Sequence, residues 1–163
     1  MDDQSEAAYR AALDAAVKSL GQREHGHREL ARKLASKGHA PVLVERVLDY
    51  LHEHDLQSDD RFAEGFVRSR VQKGYGPIKI RQELASRGVS EEAQERQLTE
   101  PAEFWLDVAQ RALGRKFGRR MAVHAEAEED TPDREAWNAR ARFLARRGFP
   151  ADLIYRALGP ERD

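Results

Sequence analysis

The sequence has no cysteine. Disulfides and thiolate metal sites are therefore excluded, and a reducing compartment suits the chain. Aromatic residues are scarce at 7%, so any core must be mostly aliphatic. No apolar run approaches the roughly 20 residues that a membrane-spanning helix needs. The acidic opening Met1-Asp2-Asp3-Gln4 is unlike a secretory leader. A soluble, cytoplasmic protein with no membrane partner is the expectation. No alternating pattern of any length marks a strand, which leaves helices. Charge of one sign is also missing. The net charge is −1 although 35% of residues are charged, which argues against an overall basic coat for nucleic acid.

What is present is a repeat. Leu34-Ala-Ser-Lys-Gly38 returns as Leu84-Ala-Ser-Arg-Gly88 and as Leu144-Ala-Arg-Arg-Gly148. An arginine follows each glycine at the same offset (Arg46, Arg96, Arg156), as does a leucine two places further on (Leu48, Leu98, Leu158). A fixed period at this scale signals tandem structural units. A glycine that closes an apolar-periodic run predicts the left-handed residue just past a helix end, where a Cβ is costly. The leucine then lies in the last turn, placed to meet the residue after the glycine (His39, Val89, Phe149). Helix-start signals follow at once in Pro41, in Ser90 before Glu91-Glu92, and in Pro150 before Asp152. The unit reads as helix, glycine turn, helix. Gly38, Gly88 and Gly148 are its turn residues, and Gly76 stands in the turn before the second copy.

In chain order, residues 1–6 are polar and are expected to fray. Ala7 to Leu20 is a helical run with Leu13, Ala16, Val17 and Leu20 on one face. His27 to Lys37 and Pro41 to about His54 form the first copy. Ser58-Asp59-Asp60 caps a further helix running to about Lys73. A helix opening at Gly76-Pro77 carries Ile78, Ile80 and Leu84. Ser90 to Leu98 is weaker, since Gln94 and Gln97 stand where the first copy has valines. Pro101 opens a helix with Phe104, Trp105, Val108, Ala109 and Leu113 on its buried side. The third glycine follows the second by sixty residues instead of fifty, because an insertion rich in acids (Glu126, Glu128, Glu129, Asp130, Asp133) breaks the period. Thr131-Pro132-Asp133 then starts the helix that bears Trp137 and Phe143. In that helix Arg140 takes the slot filled by Leu30 and Ile80 elsewhere. The expected division is 1–63, 64–117, a charged insertion at 118–133, and 134–163, all within one continuous repeat domain. The fold class is all-α.

No catalytic constellation emerges. His25 and His27, like His52 and His54, are two apart and share no helix face. Asp59-Asp60 is explained by capping. Lys73-Gly-Tyr-Gly76 lacks the spacing of a phosphate-binding loop and reads as a turn between helices. No metal or cofactor is expected, and no enzymatic activity. Residues 66–90 hold Arg68, Arg70, Lys73, Lys79, Arg81 and Arg87 against the single acid Glu83, with Tyr75 among them. Such a block is either a solvated helix face or a surface for phosphates or acidic protein. Arg70 falls near the apolar stripe of its helix, where an arginine requires a partner or a path to water.

Leu56-Gln-Ser-Asp-Asp-Arg-Phe-Ala63, then Lys73-Gly-Tyr-Gly-Pro-Ile-Lys-Ile-Arg-Gln-Glu-Leu84 and Arg147-Gly-Phe149, resemble the RecX family of bacterial recombinase regulators. The resemblance implies an elongated, curved array of tandem three-helix units, helix-turn-helix-like in detail. It implies a regulator that binds the filament of RecA on single-stranded DNA, damping strand exchange, ATP hydrolysis and coprotease action in the SOS response. Arg68, Arg70, Lys73, Tyr75, Lys79, Arg81 and Arg87 are the candidates for contact with the recombinase or with single- or double-stranded DNA. A monomer is expected. The rival reading is a helix-turn-helix transcriptional regulator, against which stand the acids that open the second helices.

Overall fold

The computed structural model describes residues 3–118 and 134–160. The acidic stretch at 124–133 and the Thr131-Pro132-Asp133 helix start lie outside the described residues. Among those described there are nine helices and no strand: α1 (Asp3–Leu20), α2 (His27–Ser36), α3 (Pro41–Glu53), α4 (Asp59–Gln72), α5 (Pro77–Ser86), α6 (Glu91–Gln97), α7 (Ala102–Phe117), α8 (Arg134–Arg147) and α9 (Ala151–Leu158). None is long and apolar enough to cross a membrane.

The ends of α2, α5 and α8 share one hydrogen-bond pattern. Gly38, Gly88 and Gly148 have φ of +86°, +79° and +88°. Each donates its N–H to the carbonyl three residues back (Ala35, Ala85, Ala145), at 2.9, 2.9 and 3.0 Å. The following residue donates to the repeat leucine: His39 to Leu34 at 3.3 Å, Val89 to Leu84 at 3.1 Å and Phe149 to Leu144 at 3.2 Å. These are complete Schellman endings, in which the last helical carbonyls gain partners and the chain is turned sharply. Leu34, Leu84 and Leu144 are fully buried beneath them. Helix starts follow the local chemistry. Ser58 and Ser90 accept the N–H of Arg61 and Ala93 on their hydroxyls, each at 3.3 Å, and Ala40, Pro101 and Pro150 are extended just ahead of α3, α7 and α9.

The arginine eight residues beyond each glycine returns to the first helix of its own triplet. Arg46 of α3 lies 4.7 Å from the Tyr9 ring of α1. Arg96 of α6 grips both carboxylate oxygens of Asp60 in α4, at 3.0 and 3.1 Å. Arg156 of α9 reaches Glu103 of α7 at 3.2 Å. The position recurs because it points back across the triplet, and the partner's chemistry varies.

The chain divides into two compact units, Met1–Phe66 with Leu84–Gln97, and Val67–Glu83 with Leu98–Asp163. The first holds a core of Ala12, Ala16, Leu30, Leu34, Val44, Val47, Leu48 and Leu51 from α1, α2 and α3. In the second, α7, α8 and α9 pack together, with Trp105, Val108, Leu113, Trp137, Phe143, Leu144 and Leu153 among the buried side chains. Trp137 Nε1 donates to the Gly159 carbonyl at 3.0 Å, so a buried indole has its partner.

Several expectations are corrected. Residues 3–6 are helical and not frayed, and the i,i+4 pair of Glu6 with Arg10 at 3.3 Å supports that turn. Val17 is 48% exposed, because α1 turns Ala12 and Ala16 to the core, where small side chains let helices approach closely. Ile78 is likewise 44% exposed, leaving Ile80 and Leu84 as the inward residues of α5. Arg140 does not enter the core as Leu30 and Ile80 do; it is half-buried with its guanidinium 5.8 Å from the Phe117 ring. Gln94 is buried and donates to the Val89 carbonyl at 2.9 Å, so a polar residue takes a valine's place without an orphaned donor.

The turn glycines are not equivalent. A Cβ on Gly38 would meet nothing within 4 Å, whereas one on Gly148 would run into the backbone and Cβ of Lys79. Gly38→Ala should then cost only the left-handed penalty, about 1–2 kcal/mol. Gly148→Ala should cost that plus overpacking of about 1–3 kcal/mol. Urea unfolding of the two variants checks this, and equal losses would show that the turn at Lys79 yields freely.

Candidate nucleic-acid interface

The basic block does not form one surface of equivalent cations. Arg68, Arg70, Lys73, Tyr75, Lys79 and Arg81 belong to the second compact unit, while Arg87 belongs to the first. Arg87 is half-buried with its guanidinium 4.6 Å from the Phe66 ring. Arg68 and Arg81 are exposed on α4 and α5. Arg70 forms an ion pair with Glu83 at 2.6 Å, with side chains only 21% and 23% exposed. The single acid of the block thus holds one of its cations, and that pair ties α4 to α5.

Tyr75 is the centre of the remaining arrangement. It follows Gly74, whose φ of +80° ends α4 in a fourth Schellman turn. Gly74 N–H goes to Val71 at 2.9 Å and Tyr75 N–H to Arg70 at 3.0 Å. The side chains of Arg70, Lys79 and Arg147 lie 5.4, 5.1 and 4.7 Å from the Tyr75 ring centroid. An aromatic face attracts cations, and here one ring holds three that would otherwise repel each other. Gly76 is needed for another reason than φ. Its N–H donates to the Arg147 carbonyl at 2.7 Å, and a Cβ there would strike the Gly148 carbonyl. Ile78 N–H adds a bond to Gly148 O at 3.0 Å. The turn before α5 is therefore docked main chain to main chain on the turn after α8.

That docking creates a cavity of about 440 Å³ lined by Lys73, Tyr75, Ala112, Arg115, Lys116, Phe143 and Arg147. Among the described residues no carboxylate lines it. Two of its arginines are fixed by the C-terminal carbonyls of α4. Arg115 Nη1 donates to Gln72 O at 2.8 Å, and Arg147 Nη1 donates to Lys73 O at 2.6 Å. The Arg147 guanidinium also lies 5.1 Å from the Phe143 ring, so it has Tyr75 and Phe143 as aromatic neighbours. Gly74 is bare where Arg115 crosses it: a Cβ there would stand 2.7 Å from Arg115 Nη2.

Arg115, Lys116 and Arg147 were not among the sequence candidates, because 40 residues or more separate them from Tyr75. Their signals were their place in the last turns of α7 and α8 and, for Arg147, its part in the Arg147-Gly-Phe149 stretch. Among the described residues no group of three or more His, Asp or Glu side chains is placed to hold a metal ion. His25 is buried with Nδ1 2.9 Å from the Arg23 carbonyl oxygen, which is a structural role.

Comparison with known proteins follows the same division into triplets. Three family descriptions match in order: the first three-helix domain of RecX over residues 12–51, the second over 58–98 and the third over 106–158. The chain belongs to the RecX family. The regulatory protein RecX of Halorhodospira halophila is 43% identical over 148 residues, covering 91% of this chain and 86% of that protein. That of Pseudomonas syringae pv. tomato is 40% identical over 143 residues, 88% and 86% of the two chains. The crystal structure of RecX from Lactobacillus salivarius superposes with a TM-score of 0.75 at 21% identity, covering 93% of this chain and 95% of that one. At that distance the likeness speaks for the fold alone.

The Arg70–Glu83 pair yields a prediction. A largely desolvated pair differs from a surface pair in that removing one partner strands the other. A double-mutant cycle on Arg70→Met and Glu83→Gln should show coupling on the order of 1 kcal/mol or more in urea unfolding. Additive effects would class the pair with ordinary surface ion pairs.

Proposed function

We propose that this RecX-family chain binds the RecA–single-stranded-DNA filament and inhibits its recombinase, ATPase and coprotease activities, thereby modulating recombination, DNA repair and the SOS response. It does so as a cytoplasmic monomer, without catalytic residues or a cofactor of its own. The observation that supports the reading is where the cations lie. The segment that most resembles the family, Asp59 to Gly88, contains the Tyr75 that gathers Arg70, Lys79 and Arg147. Arg68 and Arg81 extend positive charge on the exposed sides of α4 and α5. A filament of nucleic acid coated by protein offers both phosphates and carboxylates to such a surface. The transcription-factor reading is weakened by Glu91 and Glu92 opening α6 and Asp152 opening α9, since a recognition helix directs its first turn at bases.

Mixing the protein with recombinase, single-stranded DNA and ATP tests the proposal. Wild-type protein should slow ATP hydrolysis. The Arg68→Ala/Arg81→Ala variant should keep its helical circular dichroism and melt close to wild type, since both positions are exposed and exposed substitutions shift stability by less than about 0.5 kcal/mol. Charge-assisted contacts are worth about 1.5–3 kcal/mol each, so the variant should need at least tenfold more protein for the same inhibition. A folded variant that inhibits at wild-type concentrations would place the filament contact on another face.

A further inference from the structure

We infer that the cavity between α4, α7 and α8 is a phosphate site that holds successive backbone phosphates of a single-stranded nucleic acid, with Arg115, Arg147, Lys73 and Lys116 as its donors. This rests on the reading above in taking the ligand from a filament that contains single-stranded DNA, yet the site stands on its own geometry. A guanidinium has five N–H donors. Arg115 and Arg147 each direct one nitrogen at an α4 carbonyl, which leaves the rest of each fork for an anion. That anchoring also fixes the plane of the fork, and the Tyr75 and Phe143 rings beside Arg147 fix it further. Planar forks held in place suit the paired oxygens of a phosphate. Lys73 and Lys116 are exposed at the rim and supply charge without directional demand.

The ligand follows from charge and volume. Among the described residues four cations and no acid line the cavity, so a single phosphodiester of charge −1 would leave most of them unneutralised. A volume of about 440 Å³ is in the range that takes a nucleotide-sized ligand. The exposed rim formed by Lys73, Arg115 and Lys116 lets a strand enter and leave, which an enclosed nucleotide pocket would not. An acidic peptide offers carboxylates to the same forks, and the test below separates it.

Labelled oligothymidylate is titrated by fluorescence anisotropy against the full chain, without recombinase. Lys73→Gln/Lys116→Gln, whose side chains lie at the exposed rim, is expected to bind at least about tenfold more weakly at low salt. Its log–log salt dependence should be shallower by roughly 0.7 for each phosphate released. Arg115→Lys, which keeps the charge and loses the fork, should weaken binding while the helical circular dichroism is retained, even where loss of the bond to Gln72 O lowers the melting temperature. Unchanged affinity and salt slope in both variants would overturn the site. Polyglutamate competing as well as unlabelled oligothymidylate would overturn the nucleic-acid assignment. Pyrophosphate or ATP binding more tightly than the oligonucleotide would overturn the strand in favour of a free nucleotide. Recombinase assays keep the two proposals apart. A chain that binds oligothymidylate through Arg115 but fails to slow ATP hydrolysis sinks the filament reading and leaves the site. A chain that inhibits, but whose variants bind oligothymidylate as wild type does, sinks the site alone.

Discussion

The main-chain closure after each repeat leucine is the constraint on which the rest of this structure depends. Two amides, from the glycine and from its successor, return to carbonyls of the helix just ended. The helix loses its frayed end, and the next helix is aimed back over the buried leucine. Without a residue free to adopt φ near +80° the chain would continue as helix or unravel into water. In the third copy the same turn has a second task. The carbonyls of Arg147 and Gly148 receive the amides of Gly76 and Ile78, and this joins two turns that lie some seventy residues apart in sequence. Such a joint admits no side chain between the strands of backbone. Gly76 and Gly148 are thus fixed by packing as well as by torsion.

Much of this was legible in the residues because periodicity and glycine act locally. The helix set, its turns and the buried leucines follow from a 3.6-residue stripe ended by Gly and restarted by Pro or Ser. What failed was azimuth. Alanine and valine both fit a stripe, and only packing decides that Ala12 and Ala16 of α1 face inward while Val17 does not. Arg140 was legible as an anomaly, but its place near Phe117 depends on where α7 ends. The end of α3 near His54 was legible, but not the way it closes: Asp55 takes φ of +54° there without being glycine, and its carboxylate meets Arg61 at 2.9 Å. The cavity was invisible for a different reason. Its cations come from three helices, and no local pattern says that Arg115 and Arg147 will converge on Gln72 and Lys73.

Counting charge along the chain also misjudged the basic block, since cations serve different ends. Arg70 is tied to Glu83 in a poorly solvated position, where the pair orders α4 against α5. Arg87 covers Phe66. Arg96 and Arg156 tie third helices to first ones. These arginines are structural members whose charge is already answered. Outside the pattern, Arg23 and Glu29 form a further pair that raises the guanidinium's pKa and lowers the carboxyl's, chiefly through their hydrogen bond. A net charge of −1 therefore coexists with a locally cationic cavity because the acids that balance it stand elsewhere in the sequence.

The cavity arginines differ from these in what holds them. A helix C-terminus presents carbonyls without intrahelical partners, and a cation is favoured there by the dipole as well as by hydrogen bonding. Arg115 and Arg147 occupy the end of α4 in this way, so their ordering is accomplished by folding and not by a ligand. Immobilising a flexible cationic side chain at the moment of binding costs about 0.5–1.5 kcal/mol. Two arginines ordered beforehand avoid that cost twice, while neutral carbonyls, unlike carboxylates, leave their full positive charge unanswered. The same contact that caps α4 is what makes its cavity receptive to an anion, and a carboxylate in place of either carbonyl would have given the order without the field.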